Sequence, residues 1–131
     1  MNDRRHVFTG GPFEDVVGYS RAVRVGDHVW VSGTTAAAPD GGPPVGGDDA
    51  YAQTVEALRR VAVALAEVGA GPADVVRTRM FVTDIKRWSE VARAHAEVFG
   101  AVRPAATMVE VSRLIAPGLL VEVEADAWLG G

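Results

Sequence analysis

Residues 21–34 read RAVRVGDHVWVSGT, and this stretch decides the fold. Arg21–Val25 and His28–Thr34 are extended runs that flank Gly26-Asp27, a strong hairpin signal. In the second arm His28, Trp30 and Ser32 alternate with Val29, Val31 and Gly33. A period of two fits a strand with one face buried.

Working outward, Gly10-Gly11-Pro12 closes a short extended lead-in expected around Val7 to Thr9. Downstream, Pro39 to Asp49 (PDGGPPVGGDD) must be a loop. Asp48 and Asp49 then suit the N-cap of a helix. Its apolar face is expected to carry Tyr51, Val55, Leu58, Ala62, Leu65 and Val68, with Gln53, Glu56, Arg59, Arg60 and Glu67 on the rest. Gly69 supplies the stop. Val75 to Thr83 reads as a strand with Val76, Thr78, Met80 and Val82 on one face. A second helix over about Arg87 to Phe99 is expected to bury Trp88, Val91, His95 and Val98 or Phe99. Pro104 opens an extended segment from Ala106 to Leu114, and a turn at Ala116-Pro117-Gly118 leads to a last strand, Leu119 to Trp128.

The order β-β-β-α-β-α-β-β describes an α+β chain, one sheet with two helices on one face. The other sheet face lacks a cover, and self-association is the simple physical solution. Trp30, Trp88 and Trp128 read as core or subunit-interface anchors. The 131 residues suit a single domain spanning 1–131.

Composition excludes several chemistries. With 48% apolar and 23% charged residues the chain has the balance of an ordinary globular protein. No stretch approaches the ~20 apolar residues of a membrane span, and the polar start lacks a secretory h-region. With no cysteine, thiol nucleophiles, disulfides, iron–sulfur clusters and Cys-based zinc sites are ruled out, and the expected compartment is the cytoplasm. Lys86 is the only lysine and lies at an exposed helix start, a poor place for Schiff-base chemistry. A net charge of −4 without a basic stripe disfavours nucleic acid as a partner. There is no P-loop, dinucleotide fingerprint or nucleophile elbow.

From Gly18 to Ala127 the sequence resembles the RidA (YjgF/YER057c/UK114) family. The resemblance is carried by Gly18-Tyr19-Ser20-Arg21-Ala22, Val31-Ser32-Gly33, Gln53, Leu65 and Gly69, and continues through Val75-Val76-Arg77-Thr78 and Phe81-Val82-Thr83-Asp84. It ends in Pro104, Val109-Glu110-Val111, Leu114 and Val121-Glu122-Val123-Glu124-Ala125. It implies a chorismate-mutase-like fold, a homotrimer with small-molecule clefts between subunits, and hydrolysis of reactive enamines and imines to keto acids and ammonia without a metal or organic cofactor. It also implies a catalytic role for Glu122 and ligand contacts from Tyr19, Ser32 and Gly33. The family's carboxylate-binding arginine falls on Ala106, and an asparagine often found in the second helix falls on Ala92. Arg103, three residues upstream of Ala106, and Arg79 are the candidate replacement cations. Thr107 and His95 are further candidate ligand contacts.

Imine hydrolysis needs a proton relay, which one carboxylate of raised pKa can provide. Glu122 fits, although Glu122, Glu124 and Asp126 also alternate as a plain solvated strand face. Their carboxylates stand roughly 7 Å apart along the strand, too far for three to share an ion, and no metal site is expected. Loss of the arginine leaves three readings: an imine hydrolase of altered substrate preference, a trimer that binds a small metabolite without turnover, or a different reaction in the same cleft.

Overall fold

The computed structural model describes residues 3–130. Strands β1 (Arg4–Val7), β2 (Ala22–Val25), β3 (His28–Thr34), β4 (Val75–Val82), β5 (Ala105–Glu110) and β6 (Val121–Trp128) form one sheet in the order β1-β2-β3-β6-β4-β5. The β4–β5 pair is parallel and the others are antiparallel. Helices α2 (Ala50–Ala66) and α3 (Trp88–Phe99) cover one face, as the element order predicts. Val29, Val31, Val121, Val123, Ala125 and Ala127 point to that face and are buried. Burying them removes a continuous apolar surface from water, the main source of stability in such a sheet.

Several boundaries differ from the sequence reading. The lead-in strand is Arg4–Val7 rather than Val7 to Thr9, because β1 takes its register from β2, with Arg4 opposite Val25 and Val7 opposite Ala22. A one-turn helix, α1 (Glu14–Val17), follows it and closes on Gly18 in the left-handed region. The segment expected to run to Leu114 leaves the sheet after Glu110, where β4, its pairing partner, also ends. In β4 a register shift between Val75 and Arg77 breaks the alternation, so Val75 is buried and Val76 exposed.

Helix α2 is rotated from the expected face. Its buried side carries Ala50, Gln53, Thr54, Ala57, Leu58, Val61, Ala64 and Leu65, whereas Val55 is exposed. Small alanines give a weak hydropathy signal, and the two polar residues are buried because each finds partners. Thr54 Oγ1 donates to Ala50 O at 2.7 Å. Gln53 Nε2 donates to Gly47 O and Gly118 O, and its Oε1 accepts from Leu120 N. Asp49 caps the helix, accepting from Ala52 N. Asp48 instead contacts Arg87 at 3.3 Å.

In α3, Val91, Ala94 and Phe99 are buried, but Trp88 opens the helix and is 57% exposed. Trp30 and Trp128 stand on the uncovered sheet face, 46% and 49% exposed. None of the three tryptophans belongs to the core of the single chain. No helix among the described residues is long and apolar enough to cross a membrane.

Candidate functional site

The uncovered face of β6 presents Glu122, Glu124 and Asp126, because alternate residues of a strand share a face. Across the ladder they stand opposite Phe81, Arg79 and Arg77 of β4. Arg79 Nη1 lies 3.5 Å from Glu124 and 3.2 Å from Asp126, so two of the three acids share one guanidinium. Among the described residues no three His, Asp or Glu side chains converge as metal ligands.

Glu122 is set apart by the end of β3. Val31 pairs with Ala125 and Thr34 with Val123, so β3 holds one extra residue there and bulges at Ser32-Gly33. Glu124 is the residue of β6 opposite the bulge, and the side chain of Glu122, beyond it, reaches back over Gly33. A Cβ on Gly33 would stand 2.5 Å from Glu122 Oε2, so any side chain here has to displace that carboxylate. Burial raises the Glu122 pKa above the usual carboxylate value; the neighbouring Glu124 charge adds to the rise, and Arg21 opposes it.

Arg21 ties the surrounding segments together. Its Nη1 donates to Gly33 O at 2.7 Å, Thr34 Oγ1 at 2.8 Å and Ser32 O at 3.4 Å. Nη2 donates to Tyr19 OH at 2.9 Å, and the guanidinium stands 5.3 Å from the centre of the Tyr19 ring. Ser32 Oγ donates to Ser20 O at 2.6 Å, which fixes the bulge to the start of β2. Tyr19, Ser32, Gly33 and Glu122 therefore come together in one chain. The sequence reading did not single out Arg21. The available signal was a charged residue two positions after Tyr19, at the start of a hairpin whose far arm carries Ser32-Gly33 near its end.

The other candidates lie elsewhere. Ala106 and Thr107 are exposed on β5, the edge strand, opposite Thr78 and Arg79 of β4. Arg103 is exposed in the turn before β5, at a φ of 61°, and its Nε donates to Gly100 O at 3.1 Å. His95 is on the helical side of the sheet, with Nε2 2.8 Å from Thr78 Oγ1 and its ring 4.8 Å from that of Phe99. Burial lowers its pKa. Thr78 pairs with Ala125, whose side chain points away from the Glu122 face, so the sheet separates His95 from Glu122. A surface cavity of about 520 Å³ lies beside the loop after β5, lined by residues such as Thr83, Arg113, Ile115 and Leu120. None of the candidate residues borders it.

The family model described as endoribonuclease L-PSP matches residues 12–129. A crystal structure of a YjgF/YER057c/UK114 family member from Mycobacterium tuberculosis is 56% identical and superposes with a TM-score of 0.87, covering 96% of this chain and 99% of that one. A Rid-family protein of unknown function from Yersinia pestis is 31% identical, with a TM-score of 0.83 over 96% of this chain and 99% of its own. A RutC family protein from Pyrococcus abyssi is 33% identical over 93% of this chain and 94% of that protein.

Proposed function

Since the chain belongs to the endoribonuclease L-PSP family, which takes in the YjgF/YER057c/UK114 (RidA) proteins, we propose that it is an enamine/imine hydrolase of altered substrate preference. The observation that carries the reading is Glu122, half-buried over Gly33 beside Tyr19 and Arg21, with a raised pKa. A carboxylate whose pKa is raised by burial holds a proton more readily than a solvated one, and so can both take and return it.

The chemistry follows from that one group. Water adds to the imine carbon as Glu122 takes one of its protons, and Glu122 returns that proton to the nitrogen, which leaves a neutral carbinolamine and a free carboxylate. The resulting carbinolamine then passes its hydroxyl proton through Glu122 to the amine, the C–N bond breaks, and a ketone and ammonia leave. An enamine enters the same sequence after its carbon is protonated to give the imine. No metal or organic cofactor takes part.

We place the working site between copies of a homotrimer. The uncovered sheet face with Trp30 and Trp128 would be shielded by self-association. A neighbouring β5 edge would bring Ala106, Thr107 and Arg103 to the Glu122 face, which they do not reach within one chain. Light scattering should then give three times the 13.8 kDa chain mass. RNA cleavage, the activity in the family model's description, is disfavoured by the net charge and by the acidic row on this face.

The test is release of ammonia and keto acid from freshly generated 2-aminoacrylate and from bulkier imines. Acceleration over buffer supports the reading, and no acceleration with any substrate overturns it. Ala106, a methyl group where the resemblance expects a guanidinium, favours a second reading, a trimer that binds a small metabolite without turnover. Thermal stabilisation by a ligand with no product formed would select it.

A further inference from the structure

We infer that Glu14 is a positioning residue of this site: it shapes the loop between β1 and β2 so that Tyr19 meets Arg21 at the bulge. Its consequence for turnover rests on the proposed hydrolase reading, whereas the placement of Tyr19 does not.

Tyr19 belongs to no strand. Arg21 N donates to Val7 O at 2.8 Å, so residues 8–20 form a loop that leaves the sheet and returns to it at one point. Apolar burial does little to hold that loop within the chain, since Phe8, Val16 and Val17 are all exposed. Its one-turn helix, α1, is too short to persist by itself. Glu14 supplies the missing constraint twice over. Its carboxylate accepts from Thr9 Oγ1 at 2.5 Å and from Thr9 N at 3.1 Å, where the loop begins. Its carbonyl accepts from Gly18 N at 2.8 Å and from Tyr19 N at 3.0 Å, where the loop delivers the tyrosine. Gly11 leaves room for the carboxylate, because a Cβ there would stand 3.3 Å from Glu14 Oε2.

At 4% exposure, Glu14 is the only charged side chain that is buried among the described residues. No cation lies within salt-bridge distance of it among those residues. Burial alone would raise its pKa, but the Thr9 hydrogen bonds and the charge of Arg21 outweigh burial and hold it below the usual carboxylate value. That guanidinium is the one that donates to Tyr19 OH and to Gly33 O. Glu14 therefore fixes the backbone of Tyr19 through its carbonyl, while its charge favours the cation that holds the tyrosine hydroxyl. An apolar side chain of similar size would fill the space at less cost, but only the carboxylate oxygens tie Thr9 to the loop.

The experiment follows the full chain by NMR with its tyrosine rings isotopically labelled. The chain has two tyrosines, and Tyr51→Phe identifies the signal of Tyr19. Glu14→Gln and Thr9→Val each weaken the hold of residue 14 on Thr9 at nearly constant size. Both should shift the Tyr19 ring signal toward its position in urea and leave that of Tyr51 in place. Imine turnover should fall about tenfold or more in each. Combined with Tyr19→Ala, Glu14→Gln should cause little further loss, because the two changes remove one function. A Tyr19 signal unmoved in both variants, unchanged turnover where the signal moves, or losses that add in the double variant would each overturn the assignment. If Glu14→Gln does not fold, Thr9→Val carries the same comparisons. A wild type without imine turnover would reject the hydrolase reading, and the ring signals would still decide whether Glu14 places Tyr19.

Discussion

Glu122 and Gly33 are a matched pair: the carboxylate occupies the space in which any other residue at position 33 would place its Cβ, 2.5 Å from Oε2. The bulge in β3 makes that space, and Arg21 holds the bulge by its carbonyls. Glu122 is thereby partly withdrawn from water while Glu124 and Asp126, two and four residues on, share Arg79.

Gly33→Ala should therefore act on the acid more than on the fold. The added methyl group displaces a flexible carboxylate end, which costs about 1 kcal/mol of stability. A misplaced reacting group costs far more in rate, about a hundredfold. Urea midpoints and imine turnover, measured on the same preparation, separate the two effects. Equal turnover in Gly33→Ala and wild type would show that the position of Glu122 does not matter.

Gln53 bridges three backbone groups, Gly47 O, Gly118 O and Leu120 N, from a fully buried position. Gln53→Ala leaves all three without their partner and opens a cavity. The expected destabilisation is about 3 kcal/mol or more. Urea unfolding measures it, and a loss below about 1 kcal/mol would mean that water replaces the amide.

His95 gives the fold a pH dependence. Its folded pKa is lowered by burial beneath the ordinary 6.5, so the unfolded chain takes up its proton first as pH falls. Stability is complete above about 6.5 and declines as pH drops toward the folded value. Urea midpoints at about pH 7.5 and about pH 5.5 should show a smaller drop for His95→Gln than for wild type. Parallel drops would remove His95 as the cause.

The hairpin around Gly26-Asp27 and the alternation of Val121–Trp128 were legible because their periods are local properties of the chain. So was the order of strands and helices. The rotation of α2 was not, because Gln53 and Thr54 are buried by partners as remote as Gly118 and Leu120. Nothing in a polar residue's own neighbourhood announces such partners. The bulges at Ser32-Gly33 and Val75-Val76 were hidden for a similar reason, since register is a relation between two strands. At the candidate site, Glu122, Tyr19, Ser32 and Gly33 were read from the resemblance. Arg21 escaped because its role rests on carbonyls eleven and twelve residues away.

The most direct measurement is keto-acid release from 2-aminoacrylate generated in the assay, wild type against Glu122→Gln, across pH. Wild type should accelerate release, with the rate falling as pH drops through the raised pKa of Glu122. The variant should lose about a hundredfold or more, with that limb of the profile gone. A Glu122→Gln protein that keeps the wild-type rate and pH profile would contradict the account.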